Sequence, residues 1–140
     1  MRSKNLSTAG AAFLALASLT ACSIEAYHAP SPAPEAAATG LPDRDPALAR
    51  KLVSEGALLV DVRTPAEYAG GHVDGAVNVP IDELDARLVE IDKLTSSDKN
   101  KPIVVYCQSG GRAGRAKDKL VKAGHPRVTN LGGVGDWDKK

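Results

Sequence analysis

Two uninterrupted apolar runs constrain the fold more than any other feature of this sequence. Residues 57–62 and residues 102–107 are each short and almost free of polar side chains. A strand buried on one face alternates apolar and polar residues, whereas a continuous apolar strand is buried on both faces. Strands of that kind belong to parallel sheets that helices cover on both sides. The two runs therefore predict an α/β domain.

Helical segments separate these strands along the chain. Asp45-Pro46 supplies a cap and a first helical position, and Thr64 to Glu67 has the spacing of a capping box. The other elements follow as a short strand at 76–79, an amphipathic helix at 81–91, a helix at 112–122 and a strand at 128–131. This alternation predicts a three-layer α/β domain over residues 46–140, with a central parallel sheet of four to five strands and helices on both faces. Residues 41–45 are too polar, and too interrupted by proline, to predict the fifth strand firmly.

The first 21 residues have the pattern of a secretory signal peptide. Arg2 and Lys4 precede an apolar run from Ala9 to Ala21 that contains no charge. That run is shorter than the roughly 20 apolar residues a helix needs to span a bilayer. A basic start, a short apolar stretch and small residues at its end are typical of a cleaved signal. A buried helix is the alternative interpretation of this segment.

The end of this segment suggests a lipid anchor. Leu19-Thr20-Ala21-Cys22 resembles the bacterial lipobox, which implies that Cys22 is lipidated and becomes the mature N-terminus. Several acyl chains would anchor the protein stably without a transmembrane helix. Ser23 rather than Asp after the cysteine resembles an outer-membrane address. We therefore expect a cell-envelope protein, lipid-anchored to the outer membrane and facing the periplasm. A disulfide between Cys22 and Cys107 is the alternative.

Residues 22–45 are predicted to link this anchor to the domain. The segment is rich in proline and alanine and has little apolar bulk. Proline-rich linkers are extended and semi-rigid. The sequence therefore predicts a signal peptide over 1–21, a lipidated cysteine with a linker over 22–45, and one domain over 46–140.

Cys107 ends the second apolar strand and lies before a glycine-rich turn. Active sites of open parallel sheets lie beyond the carboxyl ends of the strands, which is where Cys107 falls. Glycines let backbone N–H groups form an anion-binding nest, and the following helix adds its positive end. Arg112 and Arg115 add cationic side chains. These features favour a reactive thiolate, although a buried structural cysteine is the alternative.

Three blocks of sequence carry a resemblance to a known family. They are residues 61–68 (DVRTPAEY) with 71–80 (GHVDGAVNVP), residues 105–113 (VYCQSGGRA), and Asn130-Leu131-Gly132-Gly133 with Asp136-Trp137. In this order they resemble the rhodanese family of single-domain sulfurtransferases. The resemblance implies that the Cys107 thiolate takes sulfur from a donor such as thiosulfate, becomes a persulfide, and passes the sulfur to cyanide or a thiol.

The resemblance also implies roles for other residues. Substrate binding falls to the turn after the nucleophile, Gln108, Ser109, Gly110, Gly111 and Arg112. Asp61 and Arg63 are expected to support the fold through charged hydrogen bonds. No metal and no organic cofactor is implied.

Two other functions are compatible with the same sequence. Related phosphatases have five residues between Cys and Arg, whereas four residues separate Cys107 from Arg112, and Ala113 stands where the phosphatase arginine would fall. A smaller loop suits a sulfur atom better than a phosphoryl group. The second rival is a module that carries a persulfide to a partner without turnover. A net charge of +1 without a basic stripe argues against nucleic acid. We expect a monomer that contacts the membrane only through its anchor.

Overall fold

The computed structural model of this protein describes residues 40–140. The predicted signal peptide, Cys22 and most of the predicted linker lie outside the described residues. The helices are α1 (Pro46–Ser54), α2 (Pro65–Ala69), α3 (Leu88–Leu94) and α4 (Gly111–Lys122). The strands are β1 (Leu58–Asp61), β2 (Val77–Asn78), β3 (Ile103–Cys107) and β4 (Val128–Gly133), and a 3-10 turn follows at Val134–Asp136.

The four strands form one sheet in the order β2-β1-β3-β4, and every neighbouring pair is parallel. The predicted α/β architecture is therefore confirmed. All the carboxyl ends of the strands lie at the same edge of the sheet, as parallel pairing requires. In register, Asp61 of β1 lies beside Tyr106 of β3, and Cys107 lies beside Gly133 of β4. The segments that follow β1, β3 and β4 therefore meet at one edge.

Apolar cores cover both faces of the sheet. On one face, Ala49 and Leu52 of α1 pack with Tyr106 and Leu131. On the other face, Ile91 of α3 and Leu120 of α4 pack with the alternate strand residues. All the residues of β1 and β3 are buried, as the two apolar runs predict. Within residues 40–140, no helix combines the length and apolar character needed to cross a membrane.

The segment before α1 lies along β4 without forming a strand. The Pro42 carbonyl accepts a bond from the Thr129 hydroxyl at 2.6 Å, and the Asp43 carboxylate accepts one from the Asn130 N–H at 2.9 Å. The Arg44 N–H donates to the Asn130 carbonyl at 2.7 Å. Side-chain groups thus replace part of the backbone ladder, since proline has no N–H to donate. The described sheet has four strands, at the lower end of the predicted range.

The helix predicted over 81–91 begins later than its apolar spacing suggests. Residues 81–87 form hydrogen-bonded turns, and α3 begins only at Leu88. Arg87 leaves the helical region, with φ −106° and ψ 15°. Its guanidinium donates to the Asn78 carbonyl at 3.1 Å and pairs with Glu90. Apolar periodicity indicates which residues face the core. Ile81 and Leu84 are buried as this periodicity indicates, although no continuous helix connects them to α3.

Asp61 and Arg63 form a buried ion pair at the end of β1. The Arg63 guanidinium donates to the Asp61 carboxylate, with a shortest distance of 2.7 Å, and also to the Gly71 carbonyl at 2.7 Å. The Arg63 N–H donates to the same carboxylate at 2.9 Å. The pair therefore fixes the turn out of β1 and ties it to the loop that precedes β2. It also fixes the direction in which the chain enters α2.

We expect the substitution Arg63→Ala to destabilise the domain by about 3 kcal/mol, because it leaves the Asp61 carboxylate buried without its counter-ion. Urea unfolding of the two proteins at pH 7 measures this difference in the free energy of unfolding. Exposed Asp82 provides the control, and Asp82→Asn is expected to change stability by less than about 0.5 kcal/mol. A loss below about 1 kcal/mol for Arg63→Ala would show that the pair is not a structural support.

Candidate active site

Cys107 lies at the carboxyl end of β3, where the chain turns into α4. Its exposed fraction is 1%, so the thiol lies at the base of the turn rather than on the surface. Gln108 and Ser109 are exposed and form the rim, and Gly110 is buried beneath them. Any reacting atom must therefore enter past the rim. Cys107 carries a free thiol.

Backbone N–H groups converge on the Cys107 sulfur. The Gly110 N–H donates to Sγ at 2.9 Å. Burial raises the pKa of the Cys107 thiol, but the N–H groups of Ala113, Ser109, Gly110 and Arg112 together outweigh burial and hold this pKa below its ordinary value. The turn and the first residues of α4 therefore form the anion nest that the glycine-rich sequence predicts.

The nest depends on a backbone conformation that favours glycine. Gly110 has φ +95° and is the N-cap of α4. A Cβ at Gly110 would lie 3.1 Å from the Gly132 Cα, which is tighter than ordinary packing. A Cβ at Gly133 would lie 2.6 Å from the Gln108 carbonyl oxygen, which is a clash. The glycines of β4 therefore let the turn pack directly against the neighbouring strand.

Asn130 ties this turn to β4. Its side-chain amide donates to the Gly110 carbonyl at 3.1 Å, and its side-chain oxygen accepts from the Gly132 N–H at 2.9 Å. A register shift between β3 and β4 accompanies this contact and brings Gly132 opposite Tyr106. The Gly110 carbonyl also accepts the Gly114 N–H at 2.9 Å. The Gly110 carbonyl thus accepts two hydrogen bonds, one from Asn130 of β4 and one from Gly114 of α4, and together they fix the orientation of this peptide group.

Arg112 forms a bidentate ion pair with Glu67. Its two terminal nitrogens donate to Glu67 Oε2 and Oε1, each at 2.7 Å. Glu67 Oε2 also accepts the Thr64 N–H at 2.9 Å, as part of the capping box of α2. Hydrogen bonds from Arg112, and then from Thr64, hold the pKa of the Glu67 carboxyl well below its usual range. The pKa of the Arg112 guanidinium is raised, first by Glu67 and to a lesser extent by Cys107.

The sequence predicts that Arg112 and Arg115 both add cationic side chains near the thiol, and the structure differs from this prediction. Arg112 is charge-paired, and Arg115 is exposed on α4. Glu67 lies 45 residues before Arg112, and its capping-box spacing accounts for it without any site role. Apart from this spacing, the sequence marks Glu67 only as part of the 61–68 block, and that block does not indicate that Arg112 is its partner. Asn130 is likewise part of the end motif without an assigned role.

Asp61, Arg63 and His72 make their contacts outside the turn that follows Cys107. Asp61 and Arg63 brace the turn before α2, as described above. The His72 ring stacks on Tyr68, with ring centroids 3.7 Å apart, and its Nδ1 lies 3.0 Å from the Tyr68 carbonyl oxygen. His72 therefore packs within its own turn. Among residues 40–140, no three His, Cys, Asp or Glu side chains converge as a metal site would require.

Known proteins share this architecture and these sequence blocks. The rhodanese-like domain family matches residues 45–140. Thiosulfate sulfurtransferase PspE of Escherichia coli (strain K12) is 39% identical over 77 residues, which cover 55% of this chain and 70% of that protein. A sulfurtransferase of Allochromatium vinosum is 40% identical over 85 residues, which cover 60% of this chain and 74% of that protein.

A solved structure supports the same assignment. The solved structure of a rhodanese with anions from E. coli is 37% identical and superposes with a TM-score of 0.52, covering 58% of this chain and 91% of that one. The relatives named as sulfurtransferases support sulfur transfer at the level of the family. With the family match spanning the whole described domain from residue 45, this chain belongs to the rhodanese-like domain family.

Proposed function

We propose that this protein is a sulfurtransferase that moves sulfane sulfur from a donor such as thiosulfate to cyanide or a thiol. The observation that carries the proposal is the buried Cys107 sulfur, ringed by backbone N–H groups with the Gly110 N–H at 2.9 Å. A nest of this kind stabilises a thiolate before reaction and a persulfide anion after it. Relatives named as sulfurtransferases support the same chemistry.

In the proposed reaction, the Cys107 thiolate attacks the outer sulfur of thiosulfate. The new Sγ–S bond forms as the S–S bond of thiosulfate breaks, and the bonding electron pair leaves on sulfite. Cyanide then attacks the outer sulfur of the persulfide, and the electron pair of the Sγ–S bond returns to Cys107 as a thiolate. The two half-reactions make a double-displacement cycle. The cycle requires no metal, redox cofactor or outside oxidant.

The size of the site supports sulfur transfer over phosphate transfer. Cys107 is almost fully enclosed, and only four residues separate it from Arg112. Within that short turn, the Gly110 N–H donates to the Cys107 sulfur itself at 2.9 Å. Gln108 and Ser109 are exposed above the thiol. A terminal sulfur atom needs less room there than a phosphoryl group, whose oxygens need donors of their own.

We also propose that the protein is lipid-anchored in the cell envelope, facing the periplasm. The proposal rests on the apolar run that ends in Leu19-Thr20-Ala21-Cys22. The proline-rich linker would then hold the domain away from the membrane surface. A small anionic donor and a thiophilic acceptor reach such a domain by diffusion, so we propose that it acts as a monomer and needs no protein partner for turnover.

Incubation with thiosulfate and cyanide is expected to yield thiocyanate and sulfite in equal amounts, and Cys107→Ser is expected to yield neither above the uncatalysed rate. Intact-mass spectrometry after thiosulfate alone is expected to show one added sulfur atom on the wild type only. If the added sulfur is found but no thiocyanate is formed, the protein is a persulfide carrier and not an enzyme. Absence of both products and of the added mass would refute sulfur transfer.

The thiolate is expected to persist to lower pH than in a free cysteine, whose pKa is about 8.5. Iodoacetamide alkylation across pH measures the thiolate fraction directly. Gly110→Ala is expected to shift the midpoint upward, because Gly110 has φ +95° and its N–H donates to the sulfur. Gly56 has φ +96° with open space around it, so Gly56→Ala carries the same backbone strain and serves as the control. Equal midpoints for both variants would contradict the nest.

The lipid anchor has its own test. Mass spectrometry of the protein purified from membranes of a bacterium that processes lipoproteins is expected to show a mature chain that begins at Cys22 and carries acyl mass. Cys22→Ser is expected to release the protein from the membrane fraction, or to leave its signal uncleaved. A mature chain that begins at another residue would refute the anchor.

A further inference from the structure

We call the turn that follows Cys107, residues 108–112, the nucleophile turn. Its only arginine, Arg112, is paired with a carboxylate in this structure. Arg112 donates two hydrogen bonds of 2.7 Å to the two oxygens of Glu67. Both side chains are about one-third exposed, at 27% and 32%. An anion that approaches the turn therefore meets an ion pair and not a free guanidinium. The low pKa of the Glu67 carboxyl keeps it charged at neutral pH.

The position of this pair makes its charge relevant to the sulfur. Arg112 is the second residue of α4 and the last residue of the nucleophile turn, whose Gly110 N–H donates to the Cys107 sulfur at 2.9 Å. The charge of Cys107 also contributes to the raised pKa of the Arg112 guanidinium. Glu67 is fixed by the capping box of α2, so its carboxylate is already in place before any donor arrives. Charges that are a few ångströms apart and only partly exposed interact appreciably even in the presence of solvent.

We propose that Glu67 sets the charge preference of this site among sulfur donors, because its carboxylate balances Arg112 where an anionic donor approaches Cys107. The proposal rests on the sulfur transfer proposed above. Compared with an unpaired Arg112, the neutral Arg112–Glu67 pair lowers the affinity for a doubly charged donor more than the affinity for a singly charged one. Glu67 is thus a specificity-determining residue that does not itself touch the reacting atoms.

Two donors of the same chemistry separate charge from reactivity. Thiosulfate is a dianion, and methanethiosulfonate is a monoanion with the same outer sulfur on a sulfonyl group. Attack by Cys107 gives the same persulfide from both, with sulfite leaving from one and methanesulfinate from the other. We define the donor ratio as kcat/KM for thiosulfate divided by kcat/KM for methanethiosulfonate. In a double-displacement cycle this ratio reports only the first half-reaction.

Three variants change the charge of the pair in known ways. Glu67→Gln leaves the pair with one positive charge, Arg112→Gln leaves it with one negative charge, and the double variant is neutral like the wild type. Glu90 forms a matched bidentate pair with Arg87, at 2.7 and 2.8 Å, on the α3 side of the domain. Glu90→Gln therefore removes an equivalent carboxylate outside the nucleophile turn and serves as the control.

We expect the donor ratio to rise roughly fivefold in Glu67→Gln and to fall by a similar factor in Arg112→Gln, the size typical of one unit charge in a partly exposed pair. The double variant is expected to return to near the wild-type ratio, and Glu90→Gln to leave it unchanged. The changes are expected to shrink at high salt, which screens exposed charges. If Glu67 merely positioned Arg112, the ratio would fall in Glu67→Gln and the double variant would match Arg112→Gln, which would overturn the proposal.

A second measurement tests the charge of the site without any sulfur transfer. The rate of alkylation by anionic iodoacetate, divided by that by neutral iodoacetamide, is expected to rise in Glu67→Gln and to fall in Arg112→Gln. An unchanged quotient in Glu67→Gln overturns the proposal even if the enzyme is active. Conversely, the expected quotients with no transfer from either donor support the charge effect and refute the proposed function. Circular dichroism and thermal unfolding verify that each variant is folded.

Discussion

Parallel pairing of β1 with β3 is the constraint on which the rest of this structure depends. It places the carboxyl ends of both strands at one edge, with Asp61 level with Tyr106. The chain after β1 enters α2 and the chain after β3 enters α4, so the first turns of the two helices lie side by side. The nucleophile turn and the capping box of α2 are thereby brought into contact although 45 residues separate Glu67 from Arg112. An antiparallel pair would send the two segments to opposite edges of the sheet.

The backbone groups at that edge of the sheet stabilise a negative charge on the buried Cys107 sulfur. Burial by itself favours the neutral thiol, and a sulfur that is 1% exposed receives little help from water. The backbone supplies the compensation, since four N–H groups of the turn and of α4 contribute to the lower pKa of Cys107. These donors do not titrate and cannot rotate away, so they are oriented before a donor arrives. Close packing of Gly132 and Gly133 behind the turn is what allows the backbone to adopt this shape.

Local patterns predicted most of this architecture. The two apolar runs correspond to β1 and β3, and the capping-box spacing of Thr64 and Glu67 corresponds to the start of α2. Glycines after Cys107 indicated the anion nest for the same reason, because a positive φ and inward N–H groups are properties of neighbouring residues. The Glu67–Arg112 pair could not be inferred in this way. It arises from tertiary contact, and Glu67 already had a sufficient local explanation as a capping residue.

The late start of α3 has a related physical cause. Apolar spacing reports which side chains face the core, and Ile81 and Leu84 do face it. Spacing does not report the backbone hydrogen bonds, which over residues 81–87 close separate turns. The Arg87 guanidinium then donates to the Asn78 carbonyl and to Glu90 at the point where α3 begins. The residue at which a helix begins can therefore differ from the one that its apolar pattern suggests, although the same side chains face the core. At both places where the structure differs from the sequence prediction, α3 and the turn after Cys107, an arginine pairs with a glutamate.

A balanced arginine is compatible with sulfur transfer because the proposed substrate and product are both anions. A free cation at the turn would bind thiosulfate more tightly but would retain sulfite as well, and binding that is uniform along the reaction does not raise turnover. The charge that must be stabilised selectively is the one on the sulfur of Cys107, and the backbone N–H groups already lower the pKa of this thiol. Pairing Arg112 with Glu67 therefore separates two tasks. In the proposed reaction, the backbone would stabilise the reacting sulfur, while the ion pair would limit how strongly the rest of an anionic donor is held.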